Sequence, residues 1–187
     1  PDSSSVLQDV SEHTEMIVWQ GADPETTASG FGGFGWSRLL YWFSELGIKQ
    51  VWIAPDLNYS AAIHADKWIP ILPNTDSALA AAVIYTWIKE GTFDKDFVAT
   101  HTIGFDKIED YIMGKEDGIP KTPAWASPRC GVPEWTIKAL AREWASKVTS
   151  LGHYFGGPMI RGPYSHEVTR LMAVQLGMQG MGKPGVH

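Results

Sequence analysis

Apolar residues follow two patterns along this chain. Met16-Ile17-Val18-Trp19-Gln20 and Gln50-Val51-Trp52-Ile53-Ala54 are short, nearly continuous apolar runs. Runs of that length read as strands buried on both faces. Between them Trp36, Leu39, Leu40, Phe43 and Leu46 recur at helical spacing, and Gly47 follows as a stop. Strand, helix, strand predicts a βαβ unit and a parallel sheet. Residues 66–72 read as a short extended piece that Pro70 confines to a sheet edge or an irregular segment. The helical period is clearest over Asp76–Glu90, where Leu79, Val83, Ile84, Trp87 and Ile88 share a face and Gly91 ends the run. Short helices are predicted at 93–100 and 105–113, and a turn-rich stretch at 115–128. Residues 133–147 predict a helix with Pro133 at its first position and Ile137, Leu140, Ala141 and Trp144 inward. A third strand at 148–155, a Gly/Pro loop at 156–163 and a last helix at 164–178 complete the pattern.

These elements predict one α/β domain over 1–187, a small parallel sheet flanked by helices in a Rossmann-like arrangement. In open sheets of this class ligands bind beyond the carboxyl ends of the strands, near helix N-termini. Segments 19–25, 54–58 and 155–161 hold such positions, and Pro73-Asn74-Thr75-Asp76 opens the strongest helix.

Composition narrows the function. The 187 residues are 44% hydrophobic and 19% charged, typical of a folded globular chain. A single Cys excludes a disulfide scaffold and a Cys-based zinc site. A net charge of −6 argues against a nucleic-acid partner. No apolar run is long enough to span a membrane. The chain opens at Pro1 without Met and stops after Lys183-Pro184-Gly185-Val186-His187, so it is expected to be an internal piece of something larger. The cytoplasm is the expected compartment.

Individual motifs leave alternatives open. Gly30-Phe31-Gly32-Gly33-Phe34-Gly35 spells G-x-G-x-x-G, with Asp56 about twenty residues on. An NAD- or FAD-binding oxidoreductase domain would use it, but the nine residues 21–29 separate it from the strand. Asp23 either contacts a ligand or closes an Asp-Pro turn. Asp76 either caps a helix or accepts hydrogen bonds from a ligand such as a guanine edge. The histidines show no metal-ligand spacing, no G-x-S-x-G occurs, and Cys130 sits in a Pro/Gly turn. A third reading is a non-catalytic interaction module that presents some of the nine Trp.

The order of the motifs is more specific than any one of them. Met16-Ile17-Val18-Trp19-Gln20-Gly21-Ala22-Asp23-Pro24 is followed by Val51-Trp52-Ile53-Ala54-Pro55, Lys67-Trp68-Ile69-Pro70 and Pro73-Asn74-Thr75-Asp76. Then come His101-Thr102-Ile103-Gly104-Phe105-Asp106, Lys121-Thr122-Pro123-Ala124-Trp125 and Gly131-Val132-Pro133. Over nearly its whole length the chain resembles the central portion of molybdopterin oxidoreductases of the dimethyl sulfoxide reductase family. Around Asn58-Tyr59 and Lys67-Trp68-Ile69-Pro70 its phrasing is nearest to the pyrogallol–phloroglucinol transhydroxylase-like branch.

The resemblance implies a molybdenum or tungsten enzyme carrying two molybdopterin guanine dinucleotides, catalysing oxygen-atom or hydroxyl transfer on a small substrate. This region would grip the guanosine and phosphates of one of them. It maps cofactor contacts onto Trp19, Gly21, Asp23 and Glu25, onto Ala54, Asp56 and Asn58, and onto Asn74, Thr75 and Asp76. Gly156, Gly157, Met159 and Arg161 would reach toward the pterin, and Asp76 would hold the guanine edge. The chain departs from the family at Ala54-Pro55, where most relatives have an acidic residue before Pro, and at Asn74, often Gly or Gln. The metal-ligating residue is expected outside this chain, because Ser3-Ser4-Ser5 lies too near the first strand. The expected partners are the rest of the parent enzyme and an iron–sulfur electron-transfer subunit, and the fragment alone is expected to be inactive.

Overall fold

The structure, a computed structural model, describes residues 3–27, 35–153, 157, 160 and 162–187. Its centre is one sheet of β1 (Met16–Gln20), β2 (Lys49–Ala54), β3 (Lys67–Pro70) and β4 (Thr149–His153). All neighbouring strands are parallel, in the order β3-β2-β1-β4. The α/β expectation holds, and Pro70 sits on an edge strand.

Each central strand is buried on both faces, so its alternating side chains feed two cores. Ile17 and Trp19 of β1, with Trp52 and Ala54 of β2, pack under α1 (Ser3–His13), α2 (Gly35–Glu45) and α3 (Tyr59–His64). Met16, Val18, Val51 and Ile53 pack under the other layer. That layer comprises α4 (Asp76–Glu90), α5 (Lys95–His101), α6 (Phe105–Ile112), α7 (Pro123–Cys130), α8 (Glu134–Ser146) and α9 (Ser165–Gln179). α4 is its axis and packs on α7, α8 and α9. Trp87 of α4 donates its indole N–H to Ala141 O at 2.7 Å and meets Trp144 edge-on at 5.3 Å. Ile137, Leu140, Ala141 and Trp144 are all buried, as their spacing predicts.

Three helices lie where periodicity predicts none. Among its described side chains α1 offers Val6, Leu7 and Val10 to the core, too little for a periodic signal. α3 is a six-residue helix fixed by its cap, Asn58 Oδ1 accepting from Ala61 N–H at 2.9 Å. α7 corrects the turn reading of 115–128. Thr122 Oγ1 accepts from Trp125 N–H at 3.0 Å, Pro123 occupies the first turn, and Pro128 lies inside the helix. The strand expected over 148–155 is Thr149–His153, and Tyr154 and Phe155 fall outside the described residues. The final segment is tied down. Thr14 and Ser150 hydroxyls both donate to Gly185 O, and Leu151 N–H donates to His187 O at 2.7 Å. Among the described residues, no helix is long and apolar enough to cross a membrane.

Trp19 needs space on the neighbouring strand, and Gly152 of β4, its register partner, provides it. A Cβ on Gly152 would stand 2.4–2.8 Å from ring atoms of Trp19. That ring cannot yield, because it stacks on Trp52 at 5.1 Å and donates to Gln50 Oε1 at 3.1 Å. Gly152→Ala is therefore expected to destabilise the chain by about 1–3 kcal/mol through overpacking. Thermal unfolding followed by circular dichroism reads this, and an unchanged midpoint refutes it.

Candidate functional site

The chain steps from β1 to β2 and β3 on one side and returns to β4 on the other. The sheet order reverses at β1, and a crevice opens outside the carboxyl ends at such a point. A cavity of about 610 Å³ lies there. Gly21, Asp23 and Thr27 after β1 and Ala54, Pro55, Asp56 and Asn58 after β2 form two walls. Ile71, Pro73, Asn74 and Asp76, between β3 and α4, form a third, and Gly157 and Gly162 add to the lining. Its size falls within the roughly 300–1,000 Å³ usual for small-molecule sites. A larger groove, of about 1080 Å³, is lined by residues of α4, α5, α6, α7 and α9 with Thr102, Ile103, Gly104 and Glu116, and none of the described strand-end residues lines it.

The cavity thus gathers Gly21, Asp23, Ala54, Asp56, Asn58, Asn74, Asp76 and Gly157 of the candidate residues. It adds Thr27, Pro55, Ile71, Pro73 and Gly162, which lie in or beside the segments that the sheet rule marks. The side chains of Trp19, Glu25 and Thr75 do not line it. Gly156, Met159 and Arg161 lie outside the described residues, as do Gly30 to Phe34 of the glycine-rich motif, while Gly35 begins α2.

The lining polar groups divide by whether the protein already uses them. Asp23 Oδ1 accepts from Ser60 N–H at 3.1 Å and Ser60 Oγ at 2.7 Å, and Oδ2 accepts from the Thr26 hydroxyl. Its carboxylate is the staple of a turn. Asn58 caps α3 with its oxygen and donates to Ala22 O at 3.0 Å, a carbonyl that Trp52 Nε1 also holds at 2.9 Å. Glu25 is likewise committed, with Ser37 Oγ at 3.0 Å and His64 Nε2 at 2.6 Å on Oε1. Asn74, in left-handed backbone at φ 62°, donates to Pro163 O at 3.2 Å. The position a Cβ would take on Gly162 is filled by the Asn74 amide, 2.7 Å away.

Two carboxylates remain. Asp56 has no hydrogen-bond or charge partner among the described residues and faces solvent at the end of β2. Asp76, at the first position of α4, is only 6% exposed. Its hydrogen-bond partner among the described residues is its own amide, its charge adds to the burial that raises the pKa of the Cys130 thiol, and burial pushes its own pKa up to about 6. The capping alternative is not realised. Thr75 Oγ1 turns back to donate to Leu72 O at 2.6 Å, and no side chain caps α4. Among the described residues, no three His, Cys, Asp or Glu side chains gather where a metal ion could sit.

No family model matches the chain. Individual proteins do. It is 43% identical over 188 residues to the pyrogallol hydroxytransferase large subunit of Pelobacter acidigallici, covering 99% of this chain and 22% of that protein. It is 34% identical over 180 residues to a dimethyl sulfoxide/trimethylamine N-oxide reductase of Rhodobacter capsulatus, covering 92% of this chain and 21% of that protein. Among solved structures, acetylene hydratase from Pelobacter acetylenicus superposes with a TM-score of 0.76 at 18% identity. That match covers 97% of this chain and 24% of the hydratase, and it speaks to the fold. The chain spans about a fifth of the length of these curated relatives. Throughout that span, its relatives are molybdopterin enzymes of the dimethyl sulfoxide reductase family.

Proposed function

We propose that the cavity holds the guanosine end of a molybdopterin guanine dinucleotide, one of two in the intact enzyme. The observation that carries this reading is Asp76, a buried carboxylate whose hydrogen-bond partner among the described residues is its own amide alone, at a helix N-terminus inside a strand-end cavity. A carboxylate there accepts a pair of N–H donors side by side, which is what a guanine edge presents. Asp56, uncommitted at the end of β2, suits the ribose hydroxyls, where Ala54 offers only a methyl group. The acceptor set fits the nucleoside. Bonds from N–H groups to a charged acceptor contribute about 1.5–3 kcal/mol each.

Molybdenum or tungsten on such a cofactor supplies the oxygen-atom or hydroxyl transfer chemistry when bound. This chain's residues bind and orient the distal nucleotide, and the metal ligand comes from elsewhere in the parent protein. An aromatic substrate is the reading nearest to the hydroxytransferase relative. An iron–sulfur electron-transfer subunit is proposed as a partner on the same family grounds.

Calorimetric titration of the chain with GDP tests the site. GDP is expected to bind more tightly than ADP, and Asp76→Ala to weaken GDP by about 10- to 100-fold. Equal affinity of Asp76→Ala and the unaltered chain removes Asp76 from this role.

The raised pKa gives two further expectations. Guanine N–H donors favour the ionised carboxylate, so GDP affinity is level above pH 7 and falls about tenfold per pH unit below the Asp76 pKa of about 6. A pH-independent affinity between 5 and 7 contradicts this. In the free chain the sign reverses. A carboxyl whose pKa rises on folding favours the folded state when protonated, and that advantage is lost as pH climbs from about 4 through about 6. Asp76→Asn is therefore expected to stabilise the free chain at pH 7.5, by up to about 3 kcal/mol, and to change little at pH 4. Urea unfolding at the two pH values measures the difference, and equal effects refute it.

A further inference from the structure

Glu25 and His64 form a buried pair that the nucleoside reading does not use. Their side chains are 14% and 1% exposed, and Glu25 Oε1 lies 2.6 Å from His64 Nε2. An ionised carboxylate only accepts, so Nε2 carries the hydrogen. Tyr41 of α2 covers the imidazole edge-on at 4.6 Å, and Ser37 Oγ donates to the same Glu25 oxygen. The Glu25 amide donates to Ser60 Oγ at 3.0 Å, and Ser60 passes its hydroxyl hydrogen to Asp23. The segment from Gly21 to Thr27 is therefore fastened to α3 twice, by Asp23 at its first turn and by Glu25 at its last.

We infer that His64 is a positioning residue for the cavity. It touches no part of the cavity itself. It holds Glu25, and Glu25 fixes the strand-end segment whose Gly21, Asp23 and Thr27 form the cavity's first wall. The same latch fixes α3, whose entry loop carries Asp56 and Asn58 on the second wall. Removing the His64 donor leaves the Glu25 carboxylate short of a buried partner, an arrangement that drives a side chain toward water and its backbone with it. The two walls then lose their fixed separation. This inference rests on the cavity being a nucleoside site, but the latch has a readout that needs no ligand.

The test compares His64→Gln, which keeps an N–H donor near Nε2, with His64→Leu, which keeps bulk and loses the donor. In the GDP titration, His64→Gln is expected to stay within about threefold of the unaltered chain and His64→Leu to weaken binding about tenfold or more. Hydrogen exchange without nucleotide is expected to quicken at the Glu25 and Thr27 amides in His64→Leu only. Equal losses in both variants, tracking their unfolding midpoints, would mean a merely structural histidine and overturn the inference. If the unaltered chain binds no GDP, the nucleoside reading fails, and exchange decides the latch. Unchanged protection of Glu25 and Thr27 in His64→Leu overturns it.

Discussion

The parallel pairing of β1 between β2 and β4 is the constraint from which the rest follows. Parallel neighbours cannot be joined by a tight turn, so every connection crosses over a face and carries helices with it. Helices on both faces demand strands that are apolar on both faces, which Met16 to Trp19 and Val51 to Ala54 supply. The same pairing sends all carboxyl ends to one side. Four polar connections with separate origins in the sequence, after β1, β2, β3 and β4, have no other place to meet. The cavity's position is a result of strand direction, and only its chemistry is left to the loops.

That chemistry depends on which polar groups the loops keep for themselves. Asp23, Glu25 and Asn58 are spent on α3, a helix too short to hold without tertiary contacts. Each replaces a water-facing group with a charge-assisted or capping bond, and together they turn two strand-end segments into rigid walls. Asp56 and Asp76 are left with acceptor capacity facing the cavity. Rigid walls around uncommitted acceptors are the condition for recognising a ligand with donors at set distances.

The elements legible in the sequence are those whose burial is periodic. α4 and the inward face of α8 follow from spacing, and the edge position of β3 follows from Pro70. α3 and α7 are not legible, because caps and distant partners define them: Ser60 with Asp23, 37 residues apart, and Thr122 with Trp125 inside a proline-rich stretch. The site shows the same division. Chain direction marks the segments that line the cavity, but one-letter codes do not separate an uncommitted carboxylate from a structural one. Asp23 and Glu25 have the same chemistry as Asp56 and Asp76, and what distinguishes them is Ser60 and His64, which local spacing does not connect to them. Trp19 shows this for an apolar residue. It lies one residue from the end of β1, beside the site, yet its ring turns to the opposite core to stack on Trp52.

Asp76 is the residue whose energetics argue hardest for selection by function. A carboxylate at the first position of a helix is favoured by the helix dipole and by free amides when it faces water. Here burial overrides that benefit and raises the pKa toward 6. The chain holds a simpler solution within one residue, since a Thr75 hydroxyl turned toward the helix would cap it, yet that hydroxyl donates to Leu72 O. Beside it Asn74 adopts left-handed backbone, a strained conformation for a residue other than glycine. A buried carboxylate bonded to its own amide, an unused cap and a left-handed neighbour stand at three consecutive positions, and burial of the carboxylate lowers the stability of the free chain at neutral pH. A ligand that supplies further N–H donors to this buried carboxylate offsets the cost of its burial, so the stability given up in the free chain returns as affinity.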